Sequence, residues 1–205
     1  AAPVTVKCRI GVDDQDPDAV LPEFIATMRA AGVRRMAIHA RKAWLHGLSP
    51  KENREIPPLN YDLVHAMKRE FPEMHRSISG GIGSLDDVRA HLARGIDGVM
   101  VGRAAYHTPA AILLDADAEI FGDARRITAE EVVEAMRPHI ARHLAEGGRL
   151  HAVTRHMLCL FAGRPGARGW RRVLGERAPR EGAGPGASEA APAAPQLSET
   201  ARGGG

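Results

Sequence analysis

Short apolar runs alternate with helical patterns along the first half of the chain. Runs rich in aliphatic residues occur at residues 4–6, 36–38, 77–78 and 98–101, and each leads through a polar or glycine-rich turn into an amphipathic stretch. Short runs that are apolar on both faces are typical of parallel sheets. The repeated order of strand and helix therefore predicts an α/β fold with right-handed crossovers.

Helix boundaries are marked by capping residues. The first helix is predicted to begin at Asp16 and Pro17 and to end at Gly32. Further helices are predicted at about residues 62–71 and 84–95. The apolar stripe of the first helix is expected to comprise Phe24, Ile25 and Met28.

The strand pattern stops after Gly122, and the rest of the chain is predicted to be helical. A capping box at Thr128 opens a helix that runs toward residue 147 and should kink at Pro138. Two shorter helices are predicted at about residues 150–161 and 167–174. We therefore expect an α/β domain over residues 1–122, a small all-helical domain over 123–181 and a disordered Ala/Gly/Pro-rich tail over 182–205.

Composition excludes several classes of protein. Of the 205 residues, 44% are hydrophobic and 4% aromatic, and the net charge is +3. The sequence contains no apolar run long enough to span a bilayer, and its first residues do not resemble a signal peptide, so neither feature is expected. Its two cysteines cannot build a disulfide framework and lack the spacing of metal ligands. We therefore expect a soluble cytoplasmic protein that binds no metal and contacts no membrane.

Candidate chemistry lies where the four predicted strands end, because ligands of parallel sheets bind at the carboxyl ends of the strands. Glycine pairs let backbone N–H groups approach a phosphate, and a lysine and an imidazole beside a phosphate-anchored cofactor suit a flavin. Each feature also has a structural interpretation, as a plain turn, an edge lysine or a hydrogen-bonded core histidine. The strand ends carry Lys7 with Arg9, His39 with Arg41, Ser79-Gly80-Gly81, and Gly102-Arg103.

Arginines cluster near the end of the predicted helical domain. Arginines three and four residues apart on a helix suit RNA phosphates, and the neighbouring Trp170 could stack on an unpaired base. The alternative is a solvated basic face. The cluster comprises Arg164, Arg168, Arg171, Arg172, Arg177 and Arg180.

A long motif at residues 39–59, HARKAWLHGLSPKENREIPPL, resembles the signature of the tRNA-dihydrouridine synthases, specifically their A subfamily. The similarity extends over residues 3–175. It continues through VKCRIG at 6–11, the Gly80-Gly81 loop, DGVMVGR at 97–103 and His156-Met157-Leu158. A run of about twenty matching residues is far more specific than a single glycine motif.

The resemblance implies an FMN-dependent (β/α)8 TIM barrel followed by a helical domain. Such an enzyme reduces a uridine in the tRNA D-loop to 5,6-dihydrouridine, with NADPH as the reductant, and would be a monomer when full length. The chain would then be a fragment that supplies about the last four strand-helix units of the barrel.

The resemblance also implies roles for individual residues. FMN would contact Lys7, His39, Ser79, Gly80, Gly81, Gly102 and Arg103. The tRNA would contact Lys51, Arg54, Arg168 and Arg171. Ser79 replaces the asparagine usual in the family, which shortens the reach of that side chain while leaving the backbone amides intact.

No catalytic residue is assigned within these residues. The family's proton donor is a cysteine on a loop after an earlier strand, which we expect upstream of this fragment. Cys8 and Cys159 are expected to be small buried residues. Two alternatives remain: another FMN-dependent TIM-barrel oxidoreductase, such as a dihydroorotate-type enzyme, and an RNA-binding remnant without activity.

Overall fold

Four parallel strands form one sheet with the order β1-β2-β3-β4. They are β1 (Thr5–Arg9), β2 (Arg35–His39), β3 (His75–Ser79) and β4 (Gly98–Met100). The structure, a computed structural model, describes residues 3–179. The predicted α/β class and its parallel sheet are confirmed. The predicted tail at 182–205, like Arg180, lies outside the described residues.

The helices between the strands are α1 (Pro17–Ala30), α2 (Tyr61–Glu70) and α3 (Leu85–Ala93), with a 3-10 turn at Glu52–Arg54. The side chains of Asp16, Asn60 and Ser84 cap the three helices by accepting backbone N–H bonds. The expected apolar stripe of α1 is wrong in one position. Leu21 and Ile25, one turn apart, form the buried seam, whereas Phe24 lies at its edge and is exposed.

Strand register separates the two faces of the sheet. Side chains alternate between faces along a strand, so residues two apart share a face. Met36 pairs with Arg76 and Ile38 with Ile78, which places these buried residues on the same face as one another. The opposite face carries Lys7, Arg9, His39, Ser79 and Met100 at the strand ends.

The chain divides into two units, one ending at Ala104 and the other beginning at Ala105. After α4 (Arg103–His107), the second unit contains α5 (Pro109–Phe121), α6 (Ala129–Ala145), α7 (Leu150–Thr154) and α8 (Ala167–Arg177). The predicted capping box of α6 is present between Thr128 and Glu131. None of the helices within residues 3–179 is long and apolar enough to cross a membrane.

The predicted helix at 150–161 is shorter than expected. Helix α7 ends at Thr154, and the following residues form turns in which Met157 N donates to Thr154 O and Leu160 N to Met157 O. These bonds span three residues, as in 3-10 turns, rather than four. The Met157 carbonyl also accepts a bond from Trp170 Nε1 at 2.9 Å. Tertiary packing therefore competes with continuation of the helix.

Candidate functional site

A cavity of about 350 Å³ opens at the carboxyl ends of the four strands. All seven residues predicted to bind a cofactor border it, together with Arg54, Met100 and residues of the loop after β3. The structure therefore brings together residues as far apart in sequence as Lys7 and Arg103. The cavity is lined by Lys7, His39, Arg54, Ser79, Gly80, Gly81, Ile82, Gly83, Met100, Gly102, Arg103 and Ala104.

His39 lies at the end of β2 and is half-buried in this cavity. Burial, followed by the nearby positive charges of Arg9, Lys7, Arg41 and Arg103, lowers the pKa of His39 to about 4. The imidazole is therefore neutral at neutral pH. Its buried Nδ1 has no hydrogen-bond partner among residues 3–179. Such an unpartnered buried nitrogen calls for a polar partner, as donor or acceptor according to the tautomer.

The glycine loop after β3 approaches the cavity through its backbone. Gly80 and Gly81 have φ values of +106° and +72°, a region that other residues rarely adopt. A Cβ atom on Gly81 would lie 2.6 Å from Leu59 Cδ1 and 2.8 Å from Tyr61 Oη. Tyr61 Oη donates to the Gly80 carbonyl at 2.6 Å and fixes the loop. Only glycine fits here, so the backbone itself forms this wall of the cavity.

Ser79 is buried, with 4% of its surface exposed, and it ends β3 directly before the glycine pair. Its backbone carbonyl accepts a bond from Ala40 N at 2.9 Å. Ser79 is therefore anchored to the end of β2, close to His39.

Two arginines hold the motif segment at residues 39–59 in place through hydrogen bonds to its backbone. Arg9 Nη1 donates to the carbonyls of Lys42 and Asn53, each at 2.8 Å, and Arg41 donates to the Pro57 carbonyl. The sequence pattern placed Arg9 and Arg41 among candidate anion contacts, but these guanidinium groups donate to loop carbonyls. Burial and the positive charges of Arg54 and Arg41 lower the pKa of Arg9.

Arg103, at the end of the loop after β4, contacts the motif segment at residues 39–59. Its guanidinium forms an ion pair with Glu55 at 2.5 Å and also donates to the Arg54 carbonyl at 3.3 Å. Both partners are about half exposed, so the pair itself stabilises the fold little. Glu55 was not identified from the sequence. The signal that could have identified Glu55 is its position in the motif, directly after Arg54.

The residues predicted to contact RNA fall into two sets. Exposed Lys51 directly precedes the 3-10 turn, and exposed Arg54 ends it while also bordering the cavity. Arg168 and Arg171 are exposed on α8 in the second unit. The structure thus connects Arg54 with the predicted cofactor residues, a relation that the sequence pattern did not indicate.

The expected role of Trp170 in base stacking is wrong. Trp170 is 4% exposed and packs edge-on against Phe161, with ring centroids 4.8 Å apart. Its indole N–H is used by the Met157 carbonyl. Because α8 turns about 100° per residue, Trp170 faces the core while Arg168, Arg171 and Arg172 face outward.

Cys8 offers no reactive thiolate to the cavity at the strand ends. Burial raises the pKa of the half-buried Cys8 thiol to about 11, and Cys8 lies on the sheet face opposite to Lys7 and Arg9. It borders a separate apolar cavity of about 580 Å³ between β1 and α1. Cys159 is also half-buried. Across residues 3–179, no group of three or more His, Cys, Asp or Glu side chains could hold a metal ion.

Comparison with known proteins identifies the family. The model of the dihydrouridine synthase (Dus) family matches residues 1–194. A tRNA-dihydrouridine(20/20a) synthase of Shewanella oneidensis is 54% identical over 183 residues, which cover 89% of this chain and 54% of the relative. The synthase of the same name from Salmonella typhimurium is 57% identical over 183 residues, covering 88% of this chain and 54% of the relative.

The synthase of that name from Escherichia coli K12 is 56% identical over 186 residues, covering 88% of this chain and 52% of the relative. The chain spans about half the length of the curated relatives it matches. The family model covers nearly all residues of the chain, and these relatives are identical to it at more than half of the aligned positions. The chain therefore belongs to the dihydrouridine synthase family.

Proposed function

We propose that this chain forms the flavin-contacting later part of a (β/α)8 barrel and the helical tRNA-binding domain, residues 123–181, of a tRNA-dihydrouridine synthase. The reaction is reduction of a D-loop uridine to 5,6-dihydrouridine. One observation carries the proposal: a single cavity gathers Lys7, His39, both glycine-containing loops and Arg103. The relatives are named for positions 20 and 20a, and we extend those positions to this chain.

The donor set of the cavity fits FMN. The backbone at Gly80 and Gly81 and the guanidinium of Arg103 suit a phosphate, because both offer N–H donors that an anion accepts. The unpartnered His39 Nδ1 and the Lys7 ammonium suit the polar edge of a flavin ring. Held by these residues, FMN would supply the hydride chemistry for the uracil ring, with NADPH as the source of electrons.

In this proposal, the residues of this chain bind the flavin and orient it. Lys7 contributes a fixed positive charge that favours the anionic reduced form of a flavin. His39 remains neutral because burial and its arginine neighbours lower its pKa to about 4, so it offers a hydrogen bond without adding charge. We assign no proton donor within these residues, since the Cys8 thiol lies on the other sheet face. The intact enzyme is a cytoplasmic monomer in this proposal.

A chimera tests the proposal. The portion of the Shewanella oneidensis relative that the match leaves uncovered is joined ahead of this chain, and the product is purified and supplied with unmodified tRNA and NADPH. We expect a flavin absorbance band, with FMN released on denaturation, and dihydrouridine in the tRNA. A folded, colourless chimera that forms no dihydrouridine would refute the proposal. A colourless chimera that still binds tRNA would instead favour the RNA-binding remnant.

Arg103 provides a sharper test within the chimera. Arg103→Met should weaken FMN binding about tenfold or more, because a charge-assisted bond to phosphate contributes about 1.5–3 kcal/mol. Arg94→Met is the matched control, since the Arg94 side chain is as exposed as that of Arg103 and also forms an ion pair, with Asp62, but does not line the cavity. FMN affinity is measured by flavin fluorescence quenching. Equal effects of the two substitutions would contradict the role of Arg103.

A further inference from the structure

His156 belongs to the family-like motif at residues 156–158, yet the proposed function gives it no role. The structure places its exposed imidazole against Tyr106 of α4, with Tyr106 Oη 3.2 Å from His156 Nδ1 and ring centroids 6.0 Å apart. Arg155 Nε donates to His156 Nε2 at 3.0 Å. His107 packs edge-on against Tyr106, with ring centroids 5.4 Å apart. These four residues form what we call the Tyr106 platform.

The hydrogen bonds of the platform fix the tautomer of His156. An arginine side chain can only donate, so His156 Nε2 must accept from Arg155. In the neutral imidazole the hydrogen then lies on Nδ1 and is donated to Tyr106 Oη. The phenol acts as acceptor in this contact, and its own hydrogen is not used there. The Tyr106 hydroxyl therefore keeps a hydrogen that it can donate, and the neighbouring side chains hold it in place. Tyr106 is 52% exposed.

An apolar cavity of about 190 Å³ lies beside the platform, with His156 in its wall. The other wall residues include Pro109, Leu113, Met136, Met157 and Leu160, among them the exposed Leu113. The surface thus combines an apolar recess, an exposed aromatic ring, polar edges and a guanidinium. Unpaired nucleotides are recognised by this combination, because the base stacks on an aromatic or guanidinium plane while polar groups contact its edge or phosphate.

Charge favours RNA over a protein as the occupant. The core of the second unit connects the platform to α8, since Trp170 Nε1 of α8 donates to the carbonyl of Met157, the neighbour of His156. The outward face of that helix carries Arg168 and Arg171. A polyanion could therefore contact α8 through phosphates and the platform through a base.

We propose that the Tyr106 platform is a docking site for an unpaired nucleotide of the RNA substrate, with the base stacked on Tyr106 and the Arg155 guanidinium near its phosphate. This inference rests on the proposed function only in taking RNA as the ligand. It assigns a base contact to residues outside the cavity at the strand ends and outside the predicted RNA contacts Lys51, Arg54, Arg168 and Arg171.

Binding of fluorescein-labelled oligouridylate to the full chain, followed by anisotropy, tests the inference. An abasic strand of equal length serves as the ligand control because it keeps the phosphates and lacks bases. Tyr106→Ala should weaken oligouridylate binding roughly tenfold and leave abasic binding nearly unchanged. Tyr106→Phe, which keeps the ring, should retain most of the affinity. Phe121→Ala is the matched control, as it removes an exposed aromatic ring of the same unit outside the platform.

Photocrosslinking keeps the inference testable if Tyr106→Ala fails to fold. Oligouridylate containing 4-thiouridine should crosslink to the peptide around Tyr106 or His156 in the unsubstituted chain. Crosslinks elsewhere only, equal binding of abasic and base-containing strands, or no binding at all would overturn the inference. Flavin content and dihydrouridine formation by the chimera report on the proposed function separately, so the two failures are distinguishable.

Discussion

Gly81 occupies a backbone conformation and a space that a larger residue does not fit. We expect Gly81→Ala to lower the free energy of unfolding by about 2–3 kcal/mol, from the positive φ and from contact with Leu59 and Tyr61. Gly32→Ala is the matched control, because Gly32 has φ +91° but, apart from Gly32 and its two chain neighbours, no residue among 3–179 has a heavy atom within 4 Å of the point where its Cβ would be. It should cost about 1–2 kcal/mol.

Urea denaturation of the two glycine variants measures the difference. If Gly81→Ala loses more free energy of unfolding than Gly32→Ala, the difference measures the close approach of the loop to Leu59 and Tyr61. Equal losses would mean that the glycine pair is required only for its backbone angles, as in an ordinary turn.

A buried histidine pair makes stability depend on pH. His65 Nε2 lies 3.1 Å from His91 Nδ1 between α2 and α3, and both rings are buried. Burial, Arg94 and His91 lower the pKa of His65 from 6.5 to about 4, and burial and Arg94 lower that of His91. The unfolded chain therefore takes up protons first as the pH falls. Stability should be constant above about pH 6.5 and decline toward pH 4.

The part of the decline that comes from His65 should reach about 1–2 kcal/mol between about pH 7.5 and about pH 5, and His91 adds a loss of the same sign. Denaturation of the unsubstituted chain and of His65→Asn at both pH values measures it. The variant should lose less stability on acidification, although His39, whose pKa is also lowered to about 4, keeps part of the dependence. An unchanged pH dependence would contradict the assignment to His65.

At the scale of single elements, α8 separates a buried face from a basic one. Replacing Arg168 and Arg171 by alanine should lower the slope of log affinity for tRNA against log salt by about 0.7–0.9 per arginine, because fewer counterions are released. Replacing Arg137 and Arg142 on α6 by alanine is the matched control, since it removes the same charge from exposed positions of another helix. Equal slopes for the two double variants would reject α8 as the phosphate contact.

Elements were predicted well where local chemistry decides them. The strand positions, the caps Asp16 and Thr128 and the glycine stop after α1 follow from short-range hydrogen bonding and φ preference. The end of α7 at Thr154 was not predictable in this way. The turns that follow Thr154 include the Met157 carbonyl, to which Trp170 donates from 13 residues further along the chain.

At the scale of the whole molecule, the sheet has two edges within residues 3–179. Strands β1 and β4 each pair with one neighbouring strand in the sheet order. Unpaired edges favour association with other chains over ligand binding. We therefore expect the isolated chain to hold little FMN, whereas the chimera holds it stoichiometrically. Absorbance of equal amounts of both proteins after gel filtration measures this, and a fully flavin-loaded isolated chain would show the expectation to be wrong.

The sequence alone determined the order of strands and helices, the glycine loops and the resemblance to the family, because these depend on neighbouring residues and on recurring motifs. The tertiary structure decided which side chains meet. It buried Trp170, turned Arg9 and Arg41 toward loop carbonyls and paired Glu55 with Arg103 and Tyr106 with His156. Such contacts join residues 16–50 positions apart, and only the packing of whole elements brings residues at those separations together.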